Sequence, residues 1–386
     1  MDQSLNKEKN LGMEFYFDNA ATTPVSPGAL EEYERVSREV TGNPSSNHRM
    51  GTKAKALLEE KRESIASMLG VEAKNIIFTS GATESVALFF QSLLWMGKGT
   101  VIMSRIEHEA VTSWGTFLKA NGWNVVTIKA KGGFVSSEEL KSALTPDTKA
   151  VFIMSVNNVT GAVEPVEELV RTVREYEKEN GKRILFFSDS VQALGKTGLD
   201  LTGWDVDGAS FSAHKINGPR GIGILYAKNP DIIRPLAPAG GQEKGKRGGT
   251  ENLPAIAAME RALREWMENR EENERKAGEI KAYIRKGIED AGLRIFSPEN
   301  SSPYILSVEG PLPSEVFTRM LFDRGFCVSS GSACSNNAKG KSEGILEAMG
   351  IDNRRAAKAV RISLGKDTTL TQAEALVKTI KELVNG

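Results

Sequence analysis

The residue with the clearest chemical potential is Lys215, which follows the segment S-F-S-A-H and precedes a glycine-rich turn between Gly218 and Gly223. A lysine amine is a nucleophile only when it is neutral. Its ordinary pKa of about 10.4 keeps it charged unless burial or neighbouring groups favour the neutral form. The apolar strand before Lys215 and the tight turn after it could provide such surroundings. We therefore predict a Schiff-base lysine, with a solvated turn lysine as the alternative.

A second chemical group is the segment S-G-A-T-E-S, from Ser80 to Ser85, which follows a predicted strand and opens a predicted helix. The amides of Ala82 and Thr83 would lie in the first helical turn, where N–H groups have no partner within the helix. A helix N-terminus with hydroxyl groups beside it can bind a phosphate. Because a short S-G-x-T turn is common, its position relative to Lys215 must decide between a phosphate site and an ordinary turn.

Asp189 ends the strand-like run I-L-F-F-S-D, and Gln192 follows three residues later. Functional groups of parallel sheets gather at the carboxyl ends of the strands. A carboxylate at this edge could hold a pyridine nitrogen in its protonated form, so that the ring acts as an electron sink. The alternative is that Asp189 caps a helix.

Two further strand ends carry polar side chains. His108 follows the run V-I-M-S, and its imidazole could stack on an aromatic cofactor and exchange protons near neutral pH. A structural histidine is the alternative. Asn157 and Asn158, just beyond the run A-V-F-I-M-S, offer amide groups at the same edge. Several strand ends thus supply complementary polar groups.

The two cysteines occupy different surroundings. Cys334 lies in the loop-like segment V-S-S-G-S-A-C-S-N-N, where a mobile thiol could reach a substrate and then leave. An incidental surface thiol is the alternative. Cys327 lies in the apolar run G-F-C-V and is predicted to be an inert core residue. With only two cysteines and three histidines, and no zinc-ligand spacing among them, we predict no metal site.

The elements that must position these groups alternate short apolar strands with longer amphipathic segments, as in an α/β layer with a mostly parallel sheet. A helix should open at Ser26-Pro27 and another should end at Gly70. A charged helical stretch is predicted from about Pro254 to Gly292. Strands are expected near Ile76, Val101, Ala150, Ile184 and Gly208.

Composition limits the domain organisation and the partners. A chain of 386 residues should form two domains, and we place them at residues 16–260 and 261–386, with residues 1–15 packing nearby. Fifty basic residues balance fifty acidic ones, so no long-range field attracts nucleic acid or an anionic membrane. The polar N-terminus lacks the apolar core of a signal peptide, which predicts a cytoplasmic protein.

A phosphate cup, an acid for a pyridine nitrogen, a stacking histidine and a Schiff-base lysine are together what pyridoxal 5′-phosphate (PLP) needs. At this point the sequence resembles the NifS/IscS-like cysteine desulfurases of the class V aminotransferase family. The resemblance runs from Phe17 to Arg361. Its motifs are F-D-N-A-A-T-T-P, N-P-S-S-x-H, T-S-G-A-T-E-S, E-H, V-N-N-x-x-G, D-S-V-Q, S-F-S-A-H-K-I-x-G-P-x-G, G-G-Q-E-x-G-x-R-x-G-T, S-S-G-S-A-C and R-I-S-L-G.

The resemblance implies a PLP-dependent transferase of fold type I. Its large domain would hold a mostly parallel seven-stranded sheet, and a smaller α+β C-terminal domain would carry the loop of Cys334. Lys215 would hold PLP as the internal aldimine, Asp189 would pair with the pyridine nitrogen, and His108 would stack on the ring. The other contacts implied are Ala82, Thr83, Ser212 and His214 at the phosphate, and Asn158 and Gln192 at the ring hydroxyl.

The resemblance also implies the substrate contacts and the assembly. Arg361 would grip the substrate carboxylate as a bidentate fork, with Asn158 near the substrate. Thr250 would reach the phosphate of the neighbouring subunit, which implies a homodimer with shared active sites. His108 would also handle a thiol proton in catalysis.

The implied reaction is the removal of sulfur from L-cysteine, giving L-alanine and a persulfide on Cys334. The sulfur would pass to an acceptor, either an iron–sulfur scaffold or a tRNA-thiolation relay. A selenocysteine lyase and a class V aminotransferase are the nearest alternatives. A non-catalytic sulfur-relay or scaffold-binding protein is a more distant one, because Lys215 and Asp189 are both present.

Overall fold

The computed structural model describes residues 15–237, 240–331 and 344–385. The strands in this part of the chain are β1 (Phe15–Tyr16), β2 (Ile76–Thr79), β3 (Thr100–Ser104), β4 (Asn124–Ile128), β5 (Thr148–Phe152), β6 (Leu185–Asp189), β7 (Gly208–Ser212), β8 (Gly223–Ala227), β9 (Ile305–Glu309), β10 (Phe326–Cys327), β11 (Ser329–Ser330) and β12 (Ala359–Ser363). The helices are α1 (Pro27–Glu39), α2 (Arg49–Met68), α3 (Ala82–Leu94), α4 (Glu109–Ala120), α5 (Ser137–Ala143), α6 (Val166–Asn180), α7 (Leu253–Glu268), α8 (Arg270–Asp290), α9 (Ser314–Phe322), α10 (Ile345–Ala348), α11 (Asn353–Ala356) and α12 (Leu370–Asn385).

Seven strands form one sheet in the order β2-β8-β7-β6-β5-β3-β4. Strand β8 runs antiparallel to both of its neighbours, and the other pairs are parallel. All five predicted strands lie in this sheet, as β2, β3, β5, β6 and β7. The predicted fold, a mostly parallel seven-stranded sheet within an α/β architecture, is therefore confirmed.

Continuous apolar runs build this sheet because its central strands are covered on both faces. Every residue of β3, β6 and β7 is buried. Aromatic rings from α3 pack on the sheet: the Phe90 and Phe152 ring centroids lie 3.9 Å apart, and those of Phe89 and Phe187 lie 4.7 Å apart. These contacts fix α3 against β5 and β6, whose C-terminal ends carry the predicted chemistry.

The chain divides into two compact units. The larger contains residues 23–157 and 163–270, including the whole seven-stranded sheet. Its last helix, α7, packs against α1 and α2. Small side chains allow the close approach of α1 and α7, where Ala29, Ala258 and Ala262 are fully buried. The larger unit therefore extends to Arg270, whereas the sequence places the change near residue 260.

The smaller unit contains the described parts of residues 1–22 and 271–386, together with residues 158–162. It holds an antiparallel sheet in the order β11-β12-β9 and a parallel pair formed by β1 and β10. Helices α8 to α12 accompany these strands. The predicted domain bounds themselves stay a prediction.

The charged stretch from Pro254 to Gly292 is two helices, α7 and α8, which corrects the expectation of one long helical stretch. Asn269 interrupts it with non-helical backbone angles, φ −119° and ψ 19°. No glycine or proline marks this break, so the pattern of charges gives no signal for it. None of the helices in the described residues is both long enough and apolar enough to cross a bilayer.

Candidate active site

Lys215 lies at the end of β7, in a single turn of 3₁₀ helix formed by Ala213–Lys215. It is half-buried, and its charge acts on its surroundings, because it contributes to pKa shifts of Asp189, Lys196 and His214. The fully solvated turn lysine considered above does not describe this position.

The turn after Lys215 is held by Asn217, whose backbone is left-handed, with φ at 63°. Its N–H donates to Thr23 Oγ1 at 2.7 Å, and its side chain donates to the Pro24 carbonyl at 2.8 Å. Trp266 Nε1 donates to Asn217 Oδ1 at 3.0 Å. These contacts fix the backbone that carries Lys215. Sequence reasoning missed the contact between Asn217 and Trp266, because these two residues are far from each other along the chain.

Lys196 is a second lysine near Lys215 that the sequence did not single out. It is buried, and its Nζ lies 5.8 Å from the centroid of the Trp266 ring. Burial, together with the charge of Lys215, lowers the pKa of Lys196 to about 7. Lys196 is therefore protonated only in part at neutral pH.

Asp189 ends β6 and is buried. Its Oδ1 accepts two hydrogen bonds, from the Val191 N–H at 3.2 Å and from the Ser210 hydroxyl at 3.1 Å. No donor among the described residues bonds Oδ2, which stays available to a ligand. Burial raises the pKa of Asp189, while the charges of His108 and Lys215 act to lower it.

Asp189 bonds the backbone two residues ahead and does not cap an α-helix, which excludes the capping alternative. Ser210 reaches it because β6 and β7 pair with Asp189 opposite Ser210. Sequence reasoning missed Ser210, since this register is a tertiary feature. Gln192 is buried in the turn after β6.

His108 stands at the start of α4, as predicted from its position after β3. Its Nδ1 accepts a hydrogen bond from the Ala110 N–H at 3.1 Å, so the neutral ring carries its proton on Nε2. His108 follows β3 and Asp189 ends β6, at the same edge of the sheet, and the charge of His108 acts to lower the pKa of Asp189. A structural capping role and a role at the ring are therefore compatible.

Glu107 is a buried acid beside His108. Its Oε1 accepts hydrogen bonds from the Ser104 hydroxyl at 2.5 Å and from the Met154 N–H at 2.8 Å, which ties the end of β3 to the end of β5. Burial raises its pKa well above the ordinary value, helped by the charges of Asp189 and Glu164. Burial thus favours the protonated form of Glu107, and its hydrogen bonds fix the segment carrying His108.

The segment from Ser80 to Ser85 forms the predicted turn, and α3 begins at Ala82. Thr79 Oγ1 donates to the Gly81 carbonyl at 3.0 Å, and it shares a 2.8 Å hydrogen bond with the Ser85 hydroxyl. A Cβ built on Gly81 would lie 3.8 Å from Ser212 Oγ. The first turn of α3 and the end of β7 therefore adjoin each other.

The phosphate candidates on β7 and beyond have different exposures. Ser212 is buried, and His214 is half-buried. Burial and the charges of Lys215, Arg220 and Lys196 lower the pKa of His214 to about 4, so it is neutral at pH 7. Thr83 and Thr250 are exposed.

The candidates for substrate binding lie in the smaller unit. Arg361, on β12, is buried; its Nη1 donates to the Asn158 carbonyl at 2.9 Å and its Nη2 donates to Asp18 Oδ1 at 2.7 Å. Two side-chain atoms, Arg361 Nε and Asn158 Oδ1, are buried without a partner among the described residues. The Arg361 N–H is a donor for a carboxylate and the Asn158 oxygen is an acceptor for an amino group, so the two atoms suit an amino-acid substrate. Asn157 instead donates to the Ile106 carbonyl at 3.0 Å and is structural.

Cys334 lies outside the described residues, so its place stays a prediction. Cys327 is half-buried on β10, where it pairs with Tyr16 of β1. The described residues contain no group of three or more metal-ligating side chains.

The larger unit fits PLP by the chemistry of its donor set. The N-terminal amides of α3, the Ser212 hydroxyl and a neutral His214 suit a phosphate. Asp189 Oδ2 is available for a pyridine nitrogen, and the half-buried Lys215 follows β7, the neighbour of the strand that Asp189 ends.

Comparisons with known proteins identify the family of this chain. The aminotransferase class-V family model matches residues 15–376. A "NifS/IcsS protein homolog" of Lactobacillus delbrueckii subsp. bulgaricus is 40% identical, covering 95% of this chain and 96% of the relative. A "Cysteine desulfurase IscS" of Clostridium botulinum is 32% identical over 97% of this chain and 95% of its own. A solved structure described as a "NIFS-LIKE PROTEIN" superposes with a TM-score of 0.90 and 37% identity, covering 97% of this chain and 100% of that one.

The fold and these matches define an enzyme of the PLP-dependent fold type I class, and the chain belongs to the aminotransferase class-V family. Within that family it is a NifS/IscS-like cysteine desulfurase.

Proposed function

We propose that this enzyme converts L-cysteine to L-alanine and carries the released sulfur as a persulfide on Cys334. The observation that carries the proposal is that Lys215, Asp189 and His108 follow or end the parallel strands β7, β6 and β3, whose carboxyl ends lie at one edge of the sheet. The residues proposed to hold PLP are Lys215, Asp189, Gln192, Asn158 and His108 at the ring, and Ala82, Thr83, Ser212 and His214 at the phosphate. Thr250 of a second subunit would complete the phosphate site in a homodimer.

PLP, when bound, withdraws electrons from the substrate carbons beside the amino group. Asp189 favours this withdrawal because its carboxylate stabilises a protonated pyridine nitrogen, and Ser210 and the Val191 N–H hold that carboxylate in place. Lys215 accepts the Cα proton as a general base. Arg361 and Asn158 orient the substrate through its carboxylate.

The sulfur transfer then requires Cys334. Its thiolate attacks the substrate sulfur, so an S–S bond forms as the Cβ–S bond breaks, and the electron pair left on Cβ takes a proton. Overall, one enzyme thiol and one cysteine give one enzyme persulfide and one alanine. His108 Nε2 is the proposed site for exchange of the thiol proton.

The test is to incubate the purified enzyme with L-cysteine, with and without a reductant, and to measure alanine and sulfide together. We expect one alanine per sulfide with the reductant, and loss of both products in Cys334→Ser and Lys215→Ala. Cys327→Ser is the matched control, because it removes the other cysteine. It should keep full activity.

The outcomes separate the alternatives. Keto-acid exchange that survives Cys334→Ser would show an aminotransferase, and a strong preference for selenocysteine would show a lyase. Failure to release alanine from enzyme that retains PLP would contradict the proposal. The sulfur acceptor, an iron–sulfur scaffold or a thiolation relay, and the cytoplasmic location stay predictions.

A further inference from the structure

The loop from Gly240 to Asn252 contains two adjacent residues in a conformation that non-glycine residues rarely adopt. Glu243 has φ 46° and ψ 39°, and Lys244 has φ 54° and ψ 36°. Left-handed backbone at consecutive non-glycine residues persists only where the surrounding structure holds it. Contacts with the surrounding structure must therefore hold this loop.

The contact is a buried ion pair between Glu243 and Arg62 of helix α2. Arg62 Nη2 lies 2.7 Å from Glu243 Oε1, and Arg62 Nη1 lies 2.8 Å from Oε2, so the pair is bidentate. Both residues are buried, with exposed fractions of 4% and 7%. A buried charge that loses its partner is strongly unfavourable, so each residue fixes the other.

The same pair is anchored on β2, the edge strand of the seven-stranded sheet. Arg62 Nη1 donates to the Ile76 carbonyl at 3.0 Å, and its guanidinium lies 4.6 Å from the centroid of the Phe78 ring. The Phe78 N–H donates to Glu243 Oε2 at 2.9 Å. The pair therefore occupies backbone groups at the outer edge of β2 and joins the loop to the sheet.

Two further contacts hold the rest of the loop. Arg247 Nε lies 3.0 Å from Glu84 Oε1, at the N-terminus of α3. Asn252 Oδ1 accepts a hydrogen bond from the Ala255 N–H at 3.3 Å and caps α7. Thr250, between these two anchors, is exposed.

We propose that the Arg62–Glu243 pair is a positioning device that holds the loop so that Thr250 is presented to the active site of a second subunit. This inference rests on the proposed function, in which Thr250 completes the phosphate site of the neighbouring chain. Neither Arg62 nor Glu243 touches substrate in this arrangement. Each acts through the loop.

The test uses two heterodimers that contain the same substitutions in different arrangements. In the first, Glu243→Gln and Lys215→Ala are on one chain and the other chain is wild type, so the only intact lysine site receives the altered loop. In the second, Glu243→Gln is on the chain that keeps Lys215, so the intact lysine site receives an unaltered loop. A heterodimer of wild type and Lys215→Ala is the reference. Any general loss of stability is common to both arrangements.

Two quantities are measured: alanine release, and PLP retained on Lys215 after dialysis, fixed by borohydride reduction and counted by mass spectrometry. We expect the first arrangement to lose at least tenfold in alanine release and most of its retained PLP. The second should stay within twofold of the reference. Equal effects in both arrangements, or none in either, would overturn the inference.

Two further results, an inactive reference heterodimer and a Glu243→Gln variant that does not fold, are distinguished from failure of the positioning role. A reference heterodimer that releases no alanine would contradict the proposed function and not the positioning role, which the retention of PLP would still measure. If Glu243→Gln does not fold, Arg62→Lys replaces it in both arrangements. That variant keeps the buried positive charge and loses only the bidentate geometry. The same dependence on arrangement is then expected, and its absence contradicts the positioning role.

Discussion

Replacing Glu164 by glutamine should make the protein more stable at high pH and leave it nearly unchanged at low pH. Glu164 is 4% exposed, its Oε2 accepts a hydrogen bond from the Val135 N–H at 2.9 Å, and its Oε1 is buried without a partner among the described residues. Burial raises its pKa from 4.5 to about 8. Glutamine has the shape of the protonated acid and never ionises.

The size of the effect follows from linkage. Between pH 4.5 and about 8 the unfolded chain has lost the Glu164 proton and the folded chain has kept it, so stability falls as pH rises. At about 1.36 kcal/mol per pH unit, the full loss is on the order of 5 kcal/mol above pH 8. Below pH 4.5 there is no loss.

The assay is urea unfolding of the PLP-loaded protein at pH 5 and pH 9. We expect the difference between Glu164→Gln and wild type to grow from below about 1 kcal/mol at pH 5 to several kcal/mol at pH 9. Glu167→Gln, which removes an exposed carboxylate three residues away, is the matched control and should give equal differences at both pH values. A Glu164→Gln difference that is constant from pH 5 to pH 9 would refute the argument that a buried, protonated acid stands at this position.

Three other substitutions test the site. Ser210→Ala removes a 3.1 Å hydrogen bond to Asp189, and a hydrogen bond to a charged acceptor is worth about 1.5–3 kcal/mol. We therefore expect kcat to fall by roughly 10- to 100-fold with KM unchanged. A change confined to KM would contradict this role. Arg361→Lys should raise KM for L-cysteine by about tenfold or more, because a lysine ammonium cannot keep the contacts to Asp18 and Asn158 and also bind the substrate carboxylate with two hydrogen bonds. An unchanged KM in steady-state alanine assays would exclude carboxylate binding by Arg361. Burial lowers the pKa of Lys196 to about 7 in the folded protein, so the free energy of unfolding falls as pH falls from 10.5 towards 7. The stability of Lys196→Met relative to wild type should therefore be greater at pH 6 than at pH 10. Urea unfolding that shows the reverse would contradict a buried lysine with a lowered pKa.

Local patterns predicted the strands, the helix at Ala82 and the strand ends that carry Asp189, His108 and Lys215, because each signal lies within a few residues of chain. Strand ends in a parallel sheet meet at one edge, so their side chains could be grouped without the structure. The domain change could not be placed as well, since the packing of Ala258 and Ala262 on Ala29 is a contact between distant segments.

Sequence reasoning also could not find the residues that support the site, because their contacts join segments that are distant along the chain. Ser210 was hidden within an apolar strand, and only the register of β6 and β7 shows that it reaches Asp189. Asn217 and Trp266 are separated by many residues and meet through one hydrogen bond. Glu243 has a left-handed backbone that no residue type in its segment indicates.

The buried ionisable groups around the site explain how Asp189 can act as its principal negative charge. Burial raises the pKa of Glu107 well above its ordinary value and raises that of Glu164 to about 8, so the protonated form is favoured at both positions. His214 has its pKa lowered to about 4, so it adds no positive charge beside the phosphate candidates. Ionising the two glutamates would oppose the negative charge on Asp189 and raise its pKa further. Burial therefore disfavours the ionisation of Glu107 beside Asp189, which keeps the Asp189 carboxylate available to a protonated pyridine nitrogen.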